Sequence, residues 1–117
     1  MDTPNTIKIG AQIYKVVERH PNEDGTLSDR NYGYTLDAGN LIVLDSSVDL
    51  TRKQVTLIHE IMHAIIATYS GYAKPQKEAE IDEWEHYFIG LMEGNLLTVF
   101  QDNPKLVKWL GLSNGNK

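Results

Sequence analysis

The sequence contains no cysteine. That excludes a disulfide framework and any thiolate metal site, so any zinc here must be held by His and carboxylate. No apolar run approaches the length of about 20 residues that spans a bilayer. The opening MDTPNTIKIG has neither a basic n-region nor an apolar h-region, and does not read as a signal peptide. Basic residues are the scarcer charge, 11 against 16 acidic for a formal net charge of −5, and they form no run. This argues against a protein whose main task is gripping phosphate backbones. We therefore expect a cytoplasmic protein that meets no nucleic acid directly and no membrane.

The 117 residues, 41% of them hydrophobic, fit one domain with a modest core of its own. No repeat, linker or low-complexity segment divides the chain, so the expectation is a single domain over residues 1–112, with 113–117 as a frayed tail. The first half reads as β. Residues Ile7 to His20 are rich in Ile, Val and Tyr with alternating apolar positions, and Gly10 marks a bend or bulge. Pro21 to Asn31 is polar and turn-rich. YGYTL and LIVLD then flank DAGN, Asp37 to Asn40, as a hairpin would.

The second half reads as helix. Thr51 and Gln54 have capping-box spacing, with Leu50 and Val55 placed as a hydrophobic staple. The helix they open should run from about Thr51 to about Tyr69, with Gly71 as its stop. A second helix is expected from roughly Gln76 to Gln101, opened by Pro75. A third short one follows, capped by Asp102 or Asn103, with Pro104 in its first turn and Gly111 after it. Strands first and helices second make an α+β domain: a small antiparallel sheet of about three strands against the two long helices.

Within the first helix stands His59-Glu60-Ile61-Met62-His63. Residues four apart share a helix face, so the two imidazoles can converge on one Zn²⁺ at about 2.0–2.1 Å. Glu60 is turned about 100° around the helix. From there it cannot easily share the metal, but it can reach a water bound to it and act as general base. A His-Glu-x-x-His arises by chance about once in a hundred such sequences. Here it sits among Thr56, Leu57, Ile58, Ile61, Met62, Ala64, Ile65 and Ile66, so the helix reads as buried and its polar residues need partners. The plainer alternative is that all three are satisfied by ordinary hydrogen bonds.

A catalytic zinc usually takes three protein ligands and a water. On the second helix Ile81, Phe88, Ile89, Met92, Leu96 and Val99 follow helical spacing and define an inward stripe. Glu85 lies in that stripe, and a carboxylate at a core position is rare unless paired or metal-bound. Glu85 is therefore the expected third ligand, with His86 and Glu83 as alternatives and pairing with a Lys or Arg as its plainer role. Candidates to stabilise an oxyanion are Tyr69, Tyr72, His86 and Tyr87.

TLIHEIMHAI following GNLIVLDSSVDLTRKQV, with DNPKLVKWL later, resembles the small phage and prophage zinc-peptidase-like proteins related to the ImmA/IrrE group within the gluzincins. The resemblance covers about Ile13 to Leu110. It implies a three-stranded sheet on the active-site helix, His59 and His63 as zinc ligands, Glu60 as catalytic base, and a glutamate ligand best matched by Glu85. It also implies a bacterial or phage-infected cell as the setting. Relatives are linked to cleavage of repressors, often beside a DNA-binding domain. No helix-turn-helix is visible here, so a regulatory protein partner would be another chain.

The reading is a zinc metallopeptidase acting on a peptide or protein substrate, with an edge strand, LIVLD being the candidate, aligning that substrate. Two alternatives are a zinc-containing binding module without turnover that grips a phage or host protein, and a metal-free structural domain.

Overall fold

The computed structural model describes residues 2–28, 30–69 and 75–112. The expected tail at 113–117, the stop at Gly71 and the candidate Tyr72 lie outside them. The β-rich run of the first 20 residues divides at Gly10, whose φ of +60° suits glycine. A Cβ there would also lie 2.5 Å from the Tyr69 hydroxyl oxygen. The result is a tight hairpin of two strands, β1 (Thr6–Ile9) and β2 (Gln12–Arg19), with Ile9 opposite Gln12. A second hairpin joins β3 (Gly33–Leu36) to β4 (Leu41–Asp45) through a single 3-10 turn at Asp37–Gly39. Asn40, with φ of 49°, closes that turn.

The sheet thus has four strands rather than three, in the order β1-β2-β4-β3. It is mixed rather than antiparallel, because β4 pairs parallel to β2. The physical reason lies in β4. LIVLD is the most continuously apolar strand, and a central position pairs both of its edges with neighbouring strands. Ile42, Val43, Leu44 and Asp45 are all buried. The expectation that LIVLD offers a free edge is therefore overturned, and the edges are β1 and β3.

Helix α1 (Leu50–Tyr69) packs its Leu57, Ile61, Ala64 and Ile65 with Ile7, Ile9, Tyr14, Val16, Ile42 and Leu44 of the sheet in one core. Its start differs from the expected capping box. The Asp49 carboxylate accepts from the Arg52 amide at 2.8 Å, while the Gln54 amide donates to the Trp109 carbonyl at 2.8 Å. Leu50 and Val55 are exposed, so they form no staple.

Helix α2 (Ile81–Asp102) begins about a turn later than expected and joins the core from Tyr87 onward. Leu91 and Val99 are buried, with Tyr87, Met92, Leu96 and Phe100 packed beside them. The front of the expected stripe is not inward: Ile81 is 79% exposed and Ile89 56%, and Glu85 between them is exposed too. Periodicity identifies a helix face but not what stands opposite it, and among the described residues this row is left uncovered.

The short α3 (Pro104–Trp109) adds Leu106 and Trp109 to the core. Asn103 precedes it but makes no side-chain cap. Its side chain acts instead as a strand partner, accepting from the Lys8 amide and donating to the Lys8 carbonyl, each at 2.8 Å. It also donates to the Val99 carbonyl at 2.7 Å. Edge strand β1 is thereby closed at its middle. No helix among the described residues is long and apolar enough to cross a membrane.

Candidate metal centre and cleft

The site is built where β3 crosses α1. Gly33 allows the approach: a Cβ there would lie 2.7 Å from Thr56 Cγ2 and 2.8 Å from the Val43 carbonyl oxygen. Two residues on, along the same strand face, the Thr35 hydroxyl donates to Glu60 Oε1 at 2.7 Å and lies 3.3 Å from the Glu60 carbonyl oxygen. Glu60 is only 3% exposed. A buried carboxylate is tolerated when a donor meets it, and Thr35 is that donor.

His59 and His63 stand one turn apart on the exposed face of α1, with their Nε2 atoms 3.1 Å from one another. Their ring centroids are 4.7 Å apart and the rings are set at 71°. Two nitrogens bound to one tetrahedral ion at about 2.0–2.1 Å would lie about 3.3 Å apart. The imidazole pair therefore fits two positions of a zinc site. Glu60 Oε2, the oxygen that Thr35 does not hold, is 3.9 Å from His59 Nε2.

The structure brings together His59, Glu60 and His63 and does not add Glu85. Among the described residues, no group of three His, Cys, Asp or Glu side chains converges as metal ligands would. Glu85, His86 and Glu83 are all exposed on the first turns of α2. Of the candidate oxyanion donors, Tyr69 and Tyr87 pack against the core. Neither of them, nor His86, lines the cleft that holds the His pair.

Sequence reasoning missed Thr35 and Tyr34, both of which line that cleft. A strand of alternating residues carries no mark of which helix residue it will face, so no local signal could have found Thr35. Tyr34 is held by the loop before it. Its hydroxyl donates to Asp24 Oδ2 at 2.5 Å, and Arg19 reaches both groups, at 3.2 and 3.3 Å. The Tyr34 hydroxyl holds the Asp24 carboxyl below the usual carboxylate range. The same bond pushes the Tyr34 hydroxyl up.

The cleft, about 490 Å³, runs between β3 and the exposed face of α1. It continues at one end into a space bounded by Arg30, Tyr32 and Arg52, and at the other into one bounded by Gln12, Tyr14 and Asp37. The Tyr32 carbonyl accepts from the Asp45 amide at 2.8 Å. In an antiparallel ladder the bonded positions alternate, so the backbone amides and carbonyls of Gly33 and Thr35 face the free edge of the sheet.

A paired imidazole face and a buried carboxylate thus stand beside an open sheet edge. Residues 13–93 match a peptidase family described as the IrrE N-terminal-like domain, Peptidase M78, and the chain belongs to that family. The match contains the His pair, Glu60 and the first turns of α2, and ends before the DNPKLVKWL segment. No curated protein and no solved structure matches the chain.

Proposed function

We propose that this protein is a zinc-dependent peptidase of gluzincin type that hydrolyses a peptide bond in an extended segment laid along β3. The observation that carries the reading is the pair of imidazole nitrogens 3.1 Å apart beside a buried, hydrogen-bonded Glu60. Zn²⁺ held by His59 and His63 would supply Lewis-acid activation of a water and of the scissile carbonyl. Glu60, through Oε2, would be the general base that holds a proton for the departing amine. Thr35 occupies Oε1 and fixes the plane of the carboxylate, as a positioning residue. The outward amides and carbonyls of Gly33 and Thr35 hold the substrate backbone.

Glu85 is our proposed third ligand, with His86 and Glu83 as the alternatives. Zinc stoichiometry tests the reading. About one zinc per chain is expected in the wild-type protein, lost in His63→Ala and sharply weakened in Glu85→Ala. Zinc retained by Glu85→Ala would move the third ligand elsewhere; no zinc in the reconstituted wild-type protein would remove the peptidase reading. Glu60→Gln should keep the metal and lose cleavage. The sequence resemblance to small phage and prophage proteins makes a phage or prophage source, and a protein substrate in a regulatory role, part of the same proposal.

A second reading, a zinc-holding module that grips a partner protein without turnover, draws on the exposed apolar residues Ile81, Phe88 and Ile89 of α2. It predicts that Glu60→Gln leaves partner binding intact and that wild-type protein cleaves nothing.

A further inference from the structure

The trough between β3 and α1 is electrically polar along its length. At one end stands Arg52, its guanidinium carbon 4.8 Å from the centre of the Tyr32 ring, with Arg30 beside the same space. Among the described residues neither guanidinium makes an ion pair with a carboxylate. At the other end stands Asp37, exposed, its carboxylate accepting only the Tyr14 hydroxyl, at 3.4 Å, among the described residues. The His pair and Glu60 lie between. Arg52 and Thr68, which bound the trough along α1, are separated by about 24 Å at 1.5 Å per helical residue. An extended segment of about seven residues covers that length, with the charged ends three to four residues from the centre.

Direction follows from the strand. β3 runs from the arginine end toward Asp37, and antiparallel addition is the commoner pairing. A segment added that way starts at Asp37 and finishes at Arg52. We propose that the cleft selects extended segments by charge order, taking a basic side chain upstream of the central His pair, at Asp37, and an acidic group downstream, at Arg30 and Arg52. Stacking on Tyr32 holds the Arg52 guanidinium over the trough while leaving its edge donors for a carboxylate. This inference rests on the cleft being the substrate channel of the peptidase reading, but binding alone can test it.

The experiment uses two fluorescein-labelled peptides of about ten residues and identical composition. One carries two lysines before and two glutamates after a central apolar pair, and the other has the order reversed. Affinity is read by anisotropy on zinc-loaded Glu60→Gln protein, and cleavage by mass spectrometry on wild type. Three exposed charges, Asp37, Arg30 and Arg52, each attracting in one peptide and repelling in the other, predict about tenfold tighter binding of the Lys-first peptide, shrinking with salt. The Asp37→Lys, Arg52→Glu double variant should reverse the order, and Arg52→Glu alone should remove more than half of the preference in free energy. Equal affinities, no binding of either peptide, or a preference unchanged in the double variant would overturn the proposal. Ordered binding with no cleavage by wild type would uphold the charge selection and end the peptidase reading.

Discussion

Two amphipathic helical faces in this chain met different fates. On α1, Leu57, Ile61, Ala64 and Ile65 are fully buried against Ile7, Ile9, Ile42 and Leu44 of the sheet. On the first turns of α2, Ile81, Glu85 and Ile89 have a helical spacing as regular, yet all stand in solvent. The two faces differ less in their own residues than in what the fold places opposite them. A hydrophobic face is stabilised only by the area it removes from water, and that area is a property of two surfaces. The same contrast runs through the site. The residues on α1 are drawn together, while the proposed ligand on the front of α2 is not grouped with them.

The sharpest way to break this comparison is to weaken each face in turn. Ile61→Ala should cost about 2–5 kcal/mol in chemical denaturation, the range for a large-to-small change in a packed core. A loss below about 1 kcal/mol would mean that the α1 face is not the core it looks to be.

Asn103→Ala comes next. It strips the Lys8 amide and carbonyl of their partners, at about 1–3 kcal/mol if water cannot replace them. Hydrogen exchange at Lys8 rising no faster than elsewhere in β1 would argue against that role. Thr35→Val should lower turnover about tenfold, near 1.4 kcal/mol, with little change in KM or zinc content, and Thr35→Ser should restore it. A change confined to KM would make Thr35 a substrate contact instead.

Smaller still is Lys53→Ala, which removes the 2.8 Å ion pair from α1 to Glu18 of β2 and should cost about 0.2–1 kcal/mol at neutral pH. Burial alone would raise the Glu18 carboxyl, but the Lys53 ammonium and the Thr3 hydroxyl together hold it below the usual range. A depressed carboxylate contributes stability above the unfolded value of about 4.3, and loses it as pH falls through the folded value. The gap between wild type and variant should therefore close in acid. A gap that persists there would assign the loss to packing of the lysine stem. Least of all, Ile89→Ser should shift stability by less than about 0.5 kcal/mol. A loss as large as that of Ile61→Ala would show this face to be covered after all.

Much of the fold was legible residue by residue. The extent of α1, the β3–β4 hairpin around DAGN, Pro104 opening a helix and Gly111 following it all correspond to local signals. Gly111 has the φ of +77° expected of such a stop. What failed locally failed for one reason. Thr51 and Gln54 had capping-box spacing, but Asp49 was a nearer acceptor and Trp109 a distant one that sequence could not reveal. Gly10 hinted at a break, yet the break proved to be a full hairpin turn, which raised the strand count to four. Of the candidate site, the convergence of His59 and His63 was readable because helical spacing fixes it. Thr35 was not, since it meets Glu60 across 25 positions of sequence.

By itself, then, the sequence determined the chemistry that α1 can offer: two imidazoles on one face and a carboxylate turned from them, because 3.6 residues per turn leaves no other arrangement. It also determined that any metal must be bound without thiolate sulfur. Only the tertiary structure decided that β4 lies inside the sheet and β3 at its edge, that Gly33 lets this edge close on α1, and that Glu60 is held by Thr35. Those choices follow from which surfaces bury one another, and burial depends on pairs of surfaces that the chain brings together only when it folds.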